Sequence, residues 1–263
     1  MKLLVDAGNT RIKWAIIDPG NGAGLGGWLQ TGSMNYAEFA AMDTPWGDIE
    51  VQDVLISNVA GAAVAAQLEA SFVAKKCPVS WFTSQAQLAG VHNNYRNPVQ
   101  LGCDRFATVI AVHALFPDQN VVVATCGTAT TIDAVSLQGD FVGGMIVPGL
   151  KLMAESLQKN TAQLPAVAGK ITSDLLFADY TEAAIVSGCL SAQAGAIEHA
   201  LAAYTETCRA VGITDGLVPL KQTSHLPICI LSGGAAPYIA PELRIAHQCI
   251  ANLVLIGLQV VSQ

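Results

Sequence analysis

Three stretches of the chain carry residue types and spacings that can do chemistry. The first is LLVDAGNTRIKW, residues 3 to 14. Leu3 to Val5 and Ala7 flank Asp6, then Gly8, Asn9 and Thr10 break the run. Ile12, Trp14 and Ile16 resume it in strict alternation. This pattern predicts a strand, a tight small-residue turn and a second strand. Gly8 and Asn9 suit the positive φ that a hairpin turn requires. Backbone N–H groups, the Asn9 amide and the Thr10 hydroxyl then crowd one point, a concavity suited to an anion such as a phosphate. Asp6, at the strand end, faces the same point and could hold a hydrated Mg²⁺. An ordinary hairpin with an Asx turn would carry the same letters.

The second stretch is LGCDRF, Leu101 to Phe106. An acidic residue beside Arg105 at a helix start can deprotonate a substrate hydroxyl while the arginine fixes an anionic group. Phosphoryl transfer asks for little more than positioning, charge neutralisation and one acceptor for that proton. The competing reading makes Asp104 a helix cap and leaves Arg105 on a solvated face. The third stretch, VVVATCGTATTIDAV from Val121, repeats the grammar of the first: apolar run, small polar tip, resumed strand. Two such hairpins predict an internally duplicated fold with a ligand between its halves. A paired glycine follows in SGG, Ser232 to Gly234, where a ligand or another backbone can approach closely. Walker A, G-x-S-x-G, H-E-x-x-H and C-x-x-C patterns are absent. The remaining turns match, by analogy at the level of the fold, the way actin-like and sugar-kinase-like proteins hold ATP.

The elements that must position these turns follow from periodicity. WLQTGS reads as a strand, Tyr36 to Met42 as a short helix, Val54 to Ser57 as a strand, Ala62 to Ala74 as a helix and Val79 to Phe82 as a strand. Val91 to Pro98 reads as a loop. From Cys103 an amphipathic helix is predicted, with Phe106, Val109, Ile110 and His113 on one face. Gly143 to Gly149 reads as a glycine-bounded strand or loop leading into a helix from Leu150; Thr181 to His199 reads as a long helix. Gly22, Gly24 and Gly27 match G-x-G-x-x-G, but no helix follows directly, so a turn between strands is the better reading. The break between halves falls near Phe116 to Asn120, giving residues 1–117 with the first turn and the Asp–Arg pair, and 118–263 with the second hairpin and the glycine pair.

Composition bounds the rest. The chain has 263 residues, 52% apolar and 13% charged, which predicts a large core. A net charge of −7 leaves no basic surplus for nucleic acid. Ile250 to Val261 is shorter than the roughly 18 apolar residues of a membrane helix and contains Asn252 and Gln259, so it reads as a buried helix and no membrane partner is expected. No signal-peptide pattern is visible. Seven irregularly spaced cysteines predict neither a disulfide framework nor a zinc cluster, and a reducing cytoplasm is the expected setting.

The ordered set of motifs resembles one family, type III pantothenate kinase, also called the Bvg accessory factor family. The matching stretches are DAGNTRIK from Asp6, NY at Asn94, LGCDRF from Leu101, GTATTID from Gly127, GGMIVPG from Gly143, TAQLP from Thr161, TEAAIVSG from Thr181 and LSGG from Leu231. The resemblance implies an α/β fold of the acetate and sugar kinase/Hsp70/actin type (ribonuclease H-like), duplicated as two similar domains around a nucleotide cleft. It implies phosphorylation of pantothenate by ATP, the first step of coenzyme A synthesis, by a homodimer using a divalent metal. It assigns Asp6, Ala7, Gly8, Asn9, Thr10, Arg11, Ile12 and Lys13 to the first phosphate loop, with Asp6 near Mg²⁺ and Thr128 touching ATP. Asp104 becomes the general base; Tyr95, Gly102, Cys103, Asp104, Arg105 and Thr181 line the pantothenate pocket. Many members also need K⁺ or NH₄⁺, held by an aspartate two residues before G-T-A. This chain has Thr125 there, a neutral hydroxyl that holds a cation less strongly. Cys126 beside it reads as a packing residue, Asp133 as a site residue or a strand-end polar group, and Lys13 as a phosphate contact or a solvated lysine. Two other classes remain open: an accessory protein that binds nucleotide without kinase activity, and a sugar or acetate kinase on the same scaffold.

Overall fold

The computed structural model describes residues 1–20, 24–42, 46, 50–73, 76–167, 175–214 and 226–263. The chain forms two compact units. The first holds Met1–Pro117, Gln138–Phe141 and Asn252–Gln263; the second holds Asp118–Leu137 and Val142–Ala251. A single cut after Pro117 therefore omits two returns of the chain to the first unit.

In the first unit, β1 (Lys2–Ala7), β2 (Arg11–Ile17) and β3 (Gln30–Asn35) form an antiparallel meander. Helix α1 (Tyr36–Ala41) follows, then β4 (Asp53–Asn58), α2 (Ala62–Val73) and β5 (Val79–Trp81). The sheet order is β3-β2-β1-β4-β5, with β4 parallel to both β1 and β5. Both faces of β1 are covered, so Leu3, Leu4 and Val5 are all buried. Leu3, Val5, Ile12, Trp14 and Ile16 pack on one face with Trp46 and Phe72, whose rings stack 5.5 Å apart. Alternation puts Asp6 and Lys13, directly opposed in register, on the other face. The turn at Gly8 to Thr10 closes with Gly8 N–H donating to Arg11 O at 3.1 Å. Neither Gly8 nor Asn9 takes positive φ. The connection has three residues rather than two, so the left-handed pair of a type I′ turn is not needed.

Val91 to Pro98 is not all loop. β6 (Gln87–Leu88) and β7 (Val91–Asn93) form a small hairpin through Ala89 and Gly90, both left-handed at φ 50° and 79°. Ala-Gly lacks the usual Asn-Gly cue, which is why the sequence hid it. β7 also pairs with Asp140 and Phe141. A short 3₁₀ turn at Pro98–Gln100 leads into α3 (Cys103–Leu115).

In the second unit, β8 (Val121–Cys126) and β9 (Ala129–Val135) make the second hairpin. β10 (Asp140–Pro148), whose first two residues count with the first unit, α4 (Leu150–Asn160) and α5 (Thr181–Thr214) follow, then β11 (Ile228–Ser232), α6 (Ala236–Ile239) and β12 (Gln248–Cys249). β11 runs parallel to β8 and β12. The core joins Val122, Ala124 and Leu231 to Ile185, Leu190 and Ile197 of α5. Two glycines permit backbone to approach the tip of the second hairpin. A Cβ at Gly149 would lie 2.2 Å from Gly127 O, and one at Gly233 (φ 94°) 2.2 Å from Cys126 O. Gly233 thus serves a backbone approach.

The final helix, α7 (Leu253–Val260), is buried from Leu253 to Gln259 and belongs to the first unit. Among the described residues no helix is long and apolar enough to cross a membrane. Gln259 ties the glycine stretch down: its Oε1 accepts from Gly26 N–H at 2.8 Å and its amide donates to Gly24 O at 3.3 Å. Gly22 lies outside the described residues. Residues Arg105 to Val112 of α3 are buried all round, so the expected single apolar face was too narrow. The helix lies against α7, β4 and β7 at once. The α3–α7 crossing depends on Gly257, where a Cβ would sit 1.9 Å from Ala107 O. Gly257→Ala is expected to cost about 3 kcal/mol or more in a denaturant titration; an unchanged midpoint would show that the helices separate freely.

Candidate active site

The site in the first unit is built outward from the sheet. Asp6 on β1 stands in register with Ser57 on β4. Ser57 Oγ donates to Cys103 Sγ at 3.3 Å, and Cys103 Sγ in turn donates to Asn58 O at 3.5 Å. These two bonds fasten the first residue of α3 to the end of β4. Asp104 is thereby brought near enough for its charge to be felt at Asp6.

Helix α3 has no side-chain cap; Gly102 is its N-cap and its carbonyl accepts from Phe106 N–H at 3.0 Å. A Cβ on Gly102 would lie 2.7 Å from Asp104 Oδ1, so glycine leaves the carboxylate its place. Asp104 Oδ1 accepts from Arg105 N–H at 2.8 Å. Gly102 and not Asp104 is the N-cap residue, but Asp104 does satisfy a first-turn N–H of the helix, so the two readings of Asp104 coexist. The solvated alternative for Arg105 falls, because Arg105 is only 6% exposed. Its guanidinium lies over the Tyr95 and Phe141 rings, 5.6 and 5.7 Å from their centroids. Arg105 Nη1 also donates to Tyr95 Oη at 2.8 Å. Asn93, buried at the end of β7, holds the loop that delivers Tyr95. Its amide donates to Gln85 O and Pro98 O, and its oxygen accepts from Tyr95 N–H.

Burial pushes the Asp6 carboxyl up to about 7; Lys13 across the hairpin opposes the rise and Asp104 adds to it. Burial also raises Asp104, opposed by the Arg105 N–H and guanidinium. Two desolvated carboxylates facing a common region favour a cation beside them. Among the described residues no group of three His, Cys, Asp or Glu could hold a metal alone. One or two carboxylates are what Mg²⁺ uses when waters and substrate phosphates complete its shell, so these residues fit a nucleotide-borne Mg²⁺.

The structure brings together Asp6, Lys13, Gly102, Cys103, Asp104, Arg105 and Tyr95 in one unit. Ala7 and Ile12 are buried core residues, whereas Asn9, Thr10 and Arg11 are exposed at or beside the turn. Sequence reasoning missed Ser57, Asn93 and Phe141. Ser57 had a partial signal, since it ends a strand read from the sequence, although the pairing of that strand with β1 was not; Phe141 had none, being distant in sequence.

In the second unit, Thr128 is exposed at the hairpin tip, its carbonyl accepting from Gly149 N–H at 3.0 Å. Thr181 opens α5 and lines a cavity of about 490 Å³ with Met153, Leu157, Leu164 and Ile185. Thr125 Oγ1 is buried without a hydrogen-bond partner. Cys126 is fully buried and burial pushes its thiol up to about 12, so it packs as a neutral hydrophobe. Asp133 is buried within β9 and is not a strand-end residue.

A family model for type III pantothenate kinase matches residues 2–203. The chain is 52% identical to a type III pantothenate kinase from Janthinobacterium sp. (strain Marseille), covering 100% of this chain and 97% of that one. This chain belongs to the type III pantothenate kinase family. A second member, from Herminiimonas arsenicoxydans, is 51% identical over the same shares of both chains. The crystal structure of a Baf family transcriptional activator from Campylobacter jejuni is similar at 17% identity, covering 98% of this chain and 96% of that one with a TM-score of 0.58. That likeness concerns the fold, which in this family is the duplicated acetate and sugar kinase/Hsp70/actin architecture. Within the family's match lie the first turn, the Asp104–Arg105 pair and the second hairpin.

Proposed function

We propose that this chain transfers the γ-phosphoryl group of ATP to the primary hydroxyl of pantothenate, giving 4'-phosphopantothenate for coenzyme A synthesis. The observation that carries the reading is the desolvated Asp104 carboxylate, fixed at the start of α3 beside a buried, ring-stacked Arg105. Asp104 accepts the hydroxyl proton as the oxygen attacks. Arg105, with Tyr95, Gly102 and Cys103, holds the pantothenate anion. The turn from Asp6 to Lys13 takes the phosphates, with Lys13 opposing their charge. Asp6 would hold Mg²⁺, which supplies charge neutralisation at the phosphates when bound. Thr128 is assigned to ATP and Thr181 to pantothenate. Rate then comes from proximity and charge stabilisation.

For K⁺ or NH₄⁺, Thr125 offers one neutral oxygen and no charge, which does not fit a carboxylate-held ion. The second copy expected of a homodimer would cover the apolar side chains exposed on the second unit, among them Val142, Ile146, Leu152, Leu176 and Phe177. A cytoplasmic location agrees with seven cysteines, all free.

A coupled assay of ADP release tests the proposal. Release is expected only when pantothenate is present; equal release without it, or release with a sugar or acetate instead, would overturn it. Within the same reading, Tyr95→Phe removes the acceptor of an Arg105 N–H. It is expected to raise the KM for pantothenate about tenfold while the KM for ATP stays unchanged; a shift in the ATP constant instead would move Tyr95 out of the acceptor pocket.

A further inference from the structure

Tyr36 touches the first turn and is assigned by neither the motifs nor the family resemblance. It opens α1, and its hydroxyl donates to Gly8 O at 2.5 Å. Its ring is half-buried and packs against the cluster of Trp14, Phe39 and Trp46. Its backbone is fixed as well. Asn35, the residue before it, caps α1 by accepting from Glu38 N–H at 2.9 Å, and Glu38 reaches back to Asn35 N–H at 2.7 Å. Asn35 is also in register with Arg11, the first residue after the turn. The phenol is therefore anchored at its ring, at its helix and at its hydroxyl.

That hydroxyl selects one orientation of the peptide between Gly8 and Asn9. A trans peptide is planar, and its C=O and N–H point in opposite directions. With the Gly8 carbonyl turned onto Tyr36, the Asn9 N–H faces away from the ring. A carbonyl oxygen that would repel an anion is thereby turned aside, and an N–H that would attract one is presented. Tyr36 also lies close enough to Asp6 for that carboxylate to raise the phenol, after burial as the main cause. The same side chain thus stands beside both parts of the first turn, the backbone donors and the carboxylate.

We infer that Tyr36 is a positioning residue for the nucleotide phosphates, acting by holding the Gly8–Asn9 peptide with its N–H outward. The inference rests on the kinase reading above and adds a residue to it. The test is Tyr36→Phe, which keeps the packed ring and removes only the hydroxyl. The KM for MgATP is expected to rise about tenfold, the loss of one hydrogen bond. The KM for pantothenate should stay at its wild-type value, and the melting temperature should fall by no more than about 4 °C, what one hydrogen bond is worth in a chain of this size. An unchanged MgATP constant would overturn the inference. A fall in melting temperature with equal rises in both constants would also overturn it, by making the hydroxyl merely structural. If the wild-type protein released no ADP with pantothenate, the kinase reading would fail before any variant was compared. Calorimetric titration of both proteins with MgATP would still decide the part played by Tyr36: weaker binding in the variant supports it, and equal binding refutes it.

Discussion

Asp104→Asn is expected to lower kcat for pantothenate phosphorylation by about 10²–10⁴-fold, the range typical of a lost general base. The amide fills the same space beside Gly102 and can still accept from Arg105 N–H, as the carboxylate does at 2.8 Å. It cannot take the proton of an attacking hydroxyl. MgATP should bind the variant, and at least as tightly as wild type, because one negative charge near the phosphates is gone. The wild-type pH profile provides a second readout. Burial raises Asp104 above the usual carboxylate range, and only the ionised form is a base. Turnover should therefore fall as pH drops through that raised value, at a higher pH than an exposed aspartate would give. The Asn variant should lack this limb. Wild-type turnover in the variant would remove Asp104 from the reaction.

Asp6→Asn should separate function from stability. Turnover is expected to fall at least 10²-fold at fixed Mg²⁺, since in the proposed reading Asp6 is the carboxylate that would hold the metal at the phosphate turn. The metal-free fold should gain. In the folded protein Asp6 is pushed up to about 7 from 3.8, mainly by burial. The folded state then holds its proton more tightly than the unfolded chain, so this group destabilises the fold progressively between about pH 4 and 7, and fully above that. The whole shift corresponds to roughly 4 kcal/mol. Asp6 is half-buried rather than sealed, and Lys13 loses its counter-charge in the variant, so a net gain of about 1–2 kcal/mol is expected at pH 8. Urea titrations without Mg²⁺ at pH 8 and pH 4 should show that gain at the first and none at the second. A variant less stable than wild type at pH 8 would mean that Asp6 is already compensated in the metal-free protein.

The sequence made the two hairpins and α3 legible because each obeys one period. Alternation through Ile12, Trp14 and Ile16 identified β2, and the same alternation put Lys13 on the face of Asp6. Burial was less legible. Arg105 was left between an anion-fixing role and a solvated face because nothing nearby in sequence reveals that Phe141 packs over it. Phe141 reaches the site through pairing with Asn93, a contact across dozens of residues. Helix α3 looked amphipathic, yet elements pack on all its sides, including α7 from the far end of the chain. Gly8 and Asn9 suggested a left-handed turn because those letters permit one; the third residue of the connection made it unnecessary. The glycine pair of SGG left open a ligand or another backbone, and at Gly233 it is backbone of the second hairpin that approaches; Gly149, read only as the end of a strand or loop, does the same. Local chemistry was thus readable wherever period and turn residues act alone. Long-range contacts decided the rest.

The most direct measurement is a crystal structure of the protein with Mg²⁺, a non-hydrolysable ATP analogue and pantothenate. The account predicts an Asp104 carboxylate oxygen within about 2.6–3.2 Å of the pantothenate primary hydroxyl, with the phosphates on the turn that follows Asp6. Pantothenate bound with that hydroxyl out of reach of Asp104, or phosphates held away from the Gly8 to Thr10 turn, would contradict it.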